Sequence, residues 1–157
     1  MLPATYNVDT VSFRIEVRLV APHGHAEPLS FLEKHVRDGT PVPPSFVDQL
    51  QRFIERGDLE VFAGKIKGRL VGIAVLAFRP NVSAGTLLAS IEDLYVIPNT
   101  RRQGVGQALL EAMGERCKVR GVSYVEVQTD DEAAEFYSMC GYELQHGVRV
   151  LSRSYIL

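Results

Sequence analysis

Three long runs of apolar, β-prone residues in the middle of the chain limit the folds that it can adopt. They cover residues 59–66, 70–78 and 87–96. Only residues 67–69, with a central glycine, separate the first two runs, which is typical of a β-hairpin. Residues 81–86 form a polar connection to the third run. Runs that follow one another through such short connections predict neighbouring antiparallel strands.

A strand and two helices are predicted before these runs. Residues 13–19 alternate apolar and charged side chains, which is the period of a half-buried strand. Residues 22–36 predict a weak helix. Ser45, followed by Asp48 three residues later, predicts the N-cap of a second helix that ends at Gly57.

The second half of the chain alternates strands and helices. An amphipathic helix is predicted over residues 104–120, followed by a short strand over residues 124–127. A capping box of Thr129 and Glu132 predicts the start of a second helix, which ends at Gly141. Residues 142–145 and 148–156 predict a terminal hairpin. Antiparallel strands followed by a strand–helix–strand–helix unit predict an α+β protein with a mixed sheet.

The composition narrows the function classes. Lys and Arg number 17 against 19 Asp and Glu, and the resulting formal charge of −2 provides no field that would gather nucleic acid or an anionic membrane. The length fits one domain, residues 1–157, and residues 1–13 lack the pattern of a signal peptide. The longest apolar run, residues 70–78, is far too short to span a membrane. We therefore expect a soluble, cytoplasmic, single-domain protein that binds neither nucleic acid nor a membrane.

The cysteine and histidine residues do not suggest metal or thiol chemistry. Cys117 and Cys140 fit no zinc motif and have no obvious activating histidine. His23 and His25 have no further ligands clustered near them, so this pair is interpreted as part of a loop and no metal is expected.

Residues 91–106 combine a strand, a turn and two glycines at the start of a helix. A helix start leaves backbone N–H groups unpaired and carries about half a positive charge. Gly104 and Gly106 allow an anion to approach the backbone closely, and Arg101 and Arg102 add positive charge at the same point. The pattern predicts a phosphate-binding loop; the alternative is a glycine turn that only begins a helix.

Two common phosphate-binding motifs do not fit this loop. The dinucleotide fingerprint needs Gly or Ala where this chain has Leu109. The ATP- and GTP-binding loop ends in Gly-Lys and then Ser or Thr, whereas Gly106 is followed by Gln107 and Ala108. A nucleotide-binding protein is therefore the weaker interpretation.

Two motifs in the second half together resemble those of the general N-acetyltransferase (GNAT) superfamily. The first is Leu94-x-Val96-x-Pro98 followed by Arg101-x-x-Gly104-x-Gly106, and the second is Ala133-x-x-Phe136-Tyr137-x-x-x-Gly141-Tyr142. Their order and separation, over residues 91–144, make the resemblance more specific than either motif alone. It implies an α+β fold with a mixed, mostly antiparallel central sheet flanked by about four helices.

The resemblance implies that acetyl-coenzyme A (acetyl-CoA) is the cofactor. The implied contacts are Arg101, Arg102, Gln103, Gly104, Val105 and Gly106 to its diphosphate, and the backbone of Leu94, Tyr95 and Val96 to its pantetheine arm. Asp130 stands where the family often has Asn. It is predicted to contact the cofactor, with a contact to the substrate as the alternative.

Acetyl transfer to an amine calls for a base, and two adjacent carboxylates precede the implied pantetheine site. A lysine-like amine has a pKa of about 10.4, so deprotonating it at pH 7 costs about 4.6 kcal/mol. Glu92 is predicted to be the base or the anchor of the amine, with Asp93 in reserve. Their side chains should point to opposite faces of the sheet unless a bulge intervenes. The alternative is a surface acid paired with an arginine.

Tyr137 matches the family tyrosine that hydrogen-bonds or protonates the leaving sulfur. A phenol is a weaker acid than a thiol, so stabilising the developing thiolate by a hydrogen bond is the safer role. The alternative is a core tyrosine on the same helical face as Ala133 and Phe136.

The expected activity is direct transfer of an acetyl group from acetyl-CoA to a primary amine of a small molecule, polyamine-like or amino-acid-like. The string of residues 92–96 is similar to that of GNAT members acting on polyamines. An aminoglycoside 3-N-acetyltransferase is the alternative enzyme, because the loop of residues 101–104 and the run of residues 127–130 are similar in those proteins. A non-catalytic acyl-CoA sensor is the alternative of another class. Dimerisation through the terminal hairpin is common in the family, although this sequence itself does not argue for a homodimer.

Overall fold

The computed structural model describes residues 4–10 and 13–155, which form one mixed sheet and four helices. The strands are β1 (Thr5–Asp9), β2 (Arg14–Leu19), β3 (Leu59–Ile66), β4 (Arg69–Asn81), β5 (Thr86–Val96) and β6 (Val122–Val127). The helices are α1 (Ala26–His35), α2 (Pro44–Arg56), α3 (Val105–Arg120) and α4 (Asp131–Met139), with short 3-10 turns at Pro22–Gly24 and Pro98–Thr100. Among these residues, none of the helices combines the length and the hydropathy that a membrane span requires.

The strands lie side by side in sequence order, from β1 to β6. Every neighbouring pair is antiparallel except β5 and β6, which are parallel because α3 forms the crossover between them. The predicted α+β fold, with a mostly antiparallel sheet and four helices, is confirmed. Strand β1 was not predicted, and the helix predicted over residues 22–36 is divided into a 3-10 turn and α1.

Two predicted helix starts are wrong by a residue or two. Helix α2 begins at Pro44 with Pro43 as its N-cap, because a proline lacks the N–H that the first turn would leave unpaired. The predicted cap, Ser45, is already inside the helix. Helix α4 is capped by Asp130 and not by Thr129, since the Asp130 carboxylate accepts a 2.8 Å hydrogen bond from the amide of Ala133.

The predicted terminal hairpin is also wrong. Residues 143–155 contain no strand, and Leu151, for example, is 89% exposed. An alternating apolar pattern predicts a strand only if a partner strand covers it, and an isolated two-stranded hairpin is marginal in water. Ile156, the last residue of the predicted hairpin, lies outside the described residues. The homodimer that was linked to this hairpin stays a prediction.

The start of α3 packs closely against the middle of the sheet. Gly64 and Gly72 lie opposite each other on β3 and β4, and a Cβ atom added to Gly72 would lie only 2.9 Å from Cγ1 of Val105. A side chain at that position would push the helix away. The apolar face predicted for this helix is buried in the core, through Val105, Ala108, Leu109, Ala112, Met113 and Cys117.

The other end of α3 is held by buried charges. Glu60 on β3 is only 6% exposed, and its carboxylate accepts three hydrogen bonds of 2.7, 2.9 and 3.2 Å from Arg116. Arg120 donates to the same carboxylate at 3.4 Å and to the carbonyl oxygen of Gly57, at the end of α2, at 2.6 Å. This network is paired within the protein, so we assign it to structure and not to catalysis.

Candidate active site

Strand β5 separates from β6 halfway along its length. Pairing between the two strands ends at Ile91, which lies opposite Val127. Beyond this point, within residues 92–96, β5 pairs only with β4. The backbone edge that faces away from β4 therefore has no strand partner in the described residues, and its Val96 carbonyl oxygen accepts a hydrogen bond from the Arg101 side chain. An extended ligand could add to the sheet along this edge as a further strand. This edge includes residues 94–96, whose backbone was predicted to pair with pantetheine.

The loop after β5 presents unpaired backbone amides at the start of α3. Gly104 is the N-cap, with a φ of 90°, and no side chain caps the helix. Arg102 also adopts a left-handed conformation, with a φ of 64°, which is strained for a residue with a side chain. Within the described residues, the amides of residues 102–107 donate no hydrogen bond to the protein. Unpaired amides at a helix start, together with the helix dipole, are an arrangement that favours the binding of an anion.

The Arg101 side chain lies between the loop and the open edge of β5. Its Nε donates a 2.9 Å hydrogen bond to the carbonyl oxygen of Val96, and its guanidinium carbon is 5.4 Å from the centroid of the Tyr95 ring. Arg102 and Gln103 are exposed beside it. Three residues predicted to bind the diphosphate are therefore together at the mouth of α3.

The second glycine of the loop is needed for packing. A Cβ atom at Gly106 would lie 3.0 Å from the Phe136 ring, so the glycine lets α4 approach the start of α3. Tyr137 follows Phe136 on α4, and the centroids of their rings are 5.2 Å apart. The two sequence motifs, which are about 30 residues apart in the chain, thus meet in space.

Tyr137 is 8% exposed and lies between two aromatic rings, those of Phe136 and Tyr142. Burial, followed by the proximity of Cys140, raises the pKa of the Tyr137 phenol above its ordinary value. The hydroxyl keeps its proton at neutral pH and has no hydrogen-bond partner among the described residues. It is therefore a neutral hydrogen-bond donor available to a ligand. Burial also raises the pKa of Tyr142 to about 12.

A β-bulge separates the environments of the two adjacent carboxylates. Asp93 lies opposite Val75 and Ile91 lies opposite Leu76, so Glu92 is the extra residue between them. Glu92 is exposed, whereas Asp93 is partly buried. Desolvation, and secondarily the charge of Glu92, raise the pKa of Asp93 above its ordinary value. The residue that was predicted to be in reserve thus has the environment of a general base.

Two residues of α1 that the sequence analysis did not single out also lie near this site. The Phe31 and His35 rings pack on each other, with centroids 4.5 Å apart, and both contact the Tyr95 ring on β5. Their spacing of four residues, on one face of a helix, was the only local signal. Asp130 lies at the start of α4, where its side chain caps the helix. Its predicted contact with the cofactor stays a prediction.

The family is established by comparison with known proteins. Residues 29–142 match the family model described as "Acetyltransferase (GNAT) family". The chain therefore belongs to the GNAT acetyltransferase family, and the predicted resemblance is confirmed.

Individual relatives show how far the similarity extends. The chain is 31% identical over 84 residues to glucosamine 6-phosphate N-acetyltransferase from Trypanosoma brucei brucei. The matched segment covers 53% of this chain and 57% of the relative. It is 40% identical over 82 residues to tRNA(Met) cytidine acetyltransferase TmcA from Haemophilus influenzae, covering 51% of this chain and 12% of the relative. The chain thus spans little more than half the length of the first of these curated relatives and a small part of the second.

A solved structure is similar over nearly the whole chain. It is an aminoglycoside acetyltransferase from an uncultured soil metagenomic sample, crystallised with trehalose. The TM-score is 0.78 at 24% identity, and the match covers 95% of this chain and 99% of the other. This likeness confirms the fold.

Proposed function

We propose that this protein transfers an acetyl group from acetyl-CoA to a primary amine of a small molecule. The proposal is carried by one observation: the open backbone edge of residues 92–96 leads directly to the unpaired amides of residues 102–107. An extended arm that ends in a diphosphate matches both features at once. Membership of the acetyltransferase family supports the same cofactor.

The residues around the two features fit acetyl-CoA. The amides of Gln103, Gly104, Val105 and Gly106 would hold the diphosphate, and Arg101 and Arg102 would supply positive charge. The backbone of residues 94–96 would pair with the pantetheine arm. When bound, the cofactor supplies an acetyl thioester, whose carbonyl carbon is open to attack by an amine.

The two carboxylates have separate roles in this proposal. Glu92 is exposed and would attract and hold the ammonium form of the acceptor. Asp93, with its raised pKa, would accept the proton that the ammonium must lose before its nitrogen can attack. A raised pKa makes the ionised carboxylate a stronger base. The sequence favoured Glu92 as the base with Asp93 in reserve, and this proposal gives the role of base to Asp93 instead.

Tyr137 would donate a hydrogen bond to the sulfur as its negative charge develops. Because burial raises the pKa of the phenol, complete proton transfer to the sulfur is disfavoured, and hydrogen bonding is the role that we propose. Tyr137→Phe should lower kcat about 10- to 100-fold, the value of one hydrogen bond to a charged group. The dissociation constant of CoA, measured by calorimetry, should change little.

A matched control for this substitution is Tyr124→Phe, because Tyr124 is an exposed tyrosine on β6. It should leave kcat unchanged. An unchanged kcat in Tyr137→Phe, combined with a reduced kcat in Tyr142→Phe, would transfer the donor role to the neighbouring ring.

The activity itself is tested by measuring thiol release from acetyl-CoA. The acceptors would include spermidine, sisomicin, lysine and glucosamine 6-phosphate. We expect at least one amine to accelerate thiol release over the rate without acceptor. If CoA binds but no amine accelerates release, the non-catalytic sensor replaces this proposal. If ATP or NAD stabilises the protein against heat more than CoA does, the nucleotide-binding alternative replaces it.

The structural neighbour supports an aminoglycoside acceptor, because it has also been solved in complex with sisomicin. The TM-score between this chain and that complex is 0.77. Sisomicin in the acceptor panel therefore tests this alternative directly. A higher kcat/KM for sisomicin than for spermidine and lysine would favour it.

A further inference from the structure

The face of the sheet that carries Asp93 is covered by α1. Asp93 and Tyr95 are two residues apart on β5, where they lie opposite Val75 and Ile73 of β4. Their side chains therefore point to the same face of the sheet. Helix α1 contacts this face through the Tyr95 ring. The centroids of Tyr95 and His35 are 5.6 Å apart with an interplanar angle of 23°, which is a stacked arrangement.

The orientation of the His35 ring is restricted on two sides. Tyr95 stacks against it, and Phe31, one helical turn earlier, packs against it with a centroid distance of 4.5 Å. Phe31 is itself buried and makes an edge contact with Tyr95 at 6.0 Å. Arg101 lies over the Tyr95 ring, so the set of contacts extends to the loop before α3.

The nitrogen atoms of this restricted ring are available to a ligand. Neither nitrogen of His35 makes a hydrogen bond within the described residues, and neither is buried away from solvent. His25 is different, because its Nδ1 lies 2.8 Å from the carbonyl oxygen of Pro22. A polar group that is held in place by packing and lacks a protein partner is preorganised to bind a ligand group.

We propose that His35 is a specificity-determining residue that hydrogen-bonds a second polar group of the acceptor, in addition to the reacting amine. This inference rests on the proposed function. It predicts acceptors with at least two polar groups, such as polyamines, amino alcohols and amino sugars, in preference to simple alkylamines. The amine that reacts lies beside Asp93, and the second polar group lies toward α1.

The test compares His35→Phe with the wild-type protein. Phenylalanine retains the stacking on Tyr95 and Phe31 and removes both ring nitrogens. We expect KM to rise about 3- to 10-fold for spermidine or sisomicin, whichever the wild-type protein acetylates, because one hydrogen bond is lost. For n-butylamine, which has no second polar group, KM should not change. The CoA dissociation constant and the melting temperature should stay close to those of the wild-type protein.

Two further variants distinguish hydrogen bonding from packing. His35→Asn and His35→Gln place a side-chain amide near the positions of Nδ1 and Nε2, and this amide can accept a hydrogen bond through its oxygen or donate one through its nitrogen. One of the two variants should restore the KM for spermidine or sisomicin. His23→Phe, at an exposed histidine, is the matched control and should have no effect. A readout that is independent of turnover is the NMR signal of the His35 ring, which should shift when spermidine is added to the CoA-bound protein.

Other outcomes would overturn the inference. A KM that is unchanged in His35→Phe for every amine would exclude the hydrogen bond. An equal rise in KM for n-butylamine and spermidine would indicate lost packing instead. Thiol release that no amine accelerates in the wild-type protein would refute the proposed function itself, and this inference with it.

Discussion

Asp93→Asn is expected to lower kcat/KM about 10²- to 10⁴-fold, the usual contribution of a general base, and to stabilise the folded protein at pH 7. Both effects have the same origin. Burial raises the pKa of Asp93, so the ionised carboxylate is a better base but is costly to hold in the folded protein. Asparagine has a similar shape, carries no charge and cannot accept the proton.

The stability effect has a defined dependence on pH. Because the pKa of Asp93 is higher in the folded than in the unfolded protein, the wild-type protein loses stability as the pH rises through the folded-state pKa. Asp93→Asn should therefore have the higher melting temperature at pH 7. The difference should disappear as the pH falls below about 3.9, the ordinary value for Asp, where the wild-type carboxyl is neutral in both states. Thermal unfolding at a series of pH values measures it.

The matched control is Glu92→Gln, which changes the neighbouring carboxylate in the same way. Because Glu92 is exposed, this variant should mainly raise KM for a cationic amine and should not stabilise the protein. If Glu92→Gln loses the acid limb of the pH profile of kcat/KM and Asp93→Asn keeps it, Glu92 is the base and our assignment is reversed.

Gly104→Val is expected to weaken the binding of CoA by about 10²-fold or more while the protein still folds. With a φ of 90°, Gly104 has a conformation that costs a residue with a side chain roughly 1–2 kcal/mol. A Cβ atom there would lie 3.7 Å from Ile15, an ordinary contact, so the fold has room for it. The larger effect is at the ligand, because a branched side chain covers the amides and displaces hydrogen bonds to a charged group.

The control for backbone strain is Gly85→Val. Gly85 lies in the turn between β4 and β5, has a φ of 69°, and has open space around its Cβ position. The Gly85→Val variant should lose about as much stability as Gly104→Val and should bind CoA as tightly as the wild-type protein does. Calorimetric titration with CoA measures both variants, and normal binding by Gly104→Val would contradict the proposed diphosphate site.

The features of the candidate site that depend on local chemistry can be recognised in the sequence, although their roles stay predictions. Glycines beside arginines at a helix start and a tyrosine within a second motif are read from neighbouring residues. The long run of residues 87–96 correctly predicted β5, because a run of apolar, β-prone residues is a local signal.

The parts that depend on distant contacts could not be predicted. Whether Asp93 or Glu92 becomes buried depends on a bulge in the pairing with β4, and the residues of β5 do not specify that register. The stacking of His35 on Tyr95 joins two residues that are 60 positions apart in the sequence. The terminal hairpin failed for the same reason, since residues 142–155 have no partner strand in the described chain.

The anchoring of α3 at both ends has a consequence for how an anion would be captured. At the start of α3, Val105 packs against the two glycines of β3 and β4, and near its end Arg116 and Arg120 form ion pairs with Glu60. Because α3 is held at both ends, we expect the amides at its start to be in position before an anion binds, so that binding requires no rearrangement of the helix.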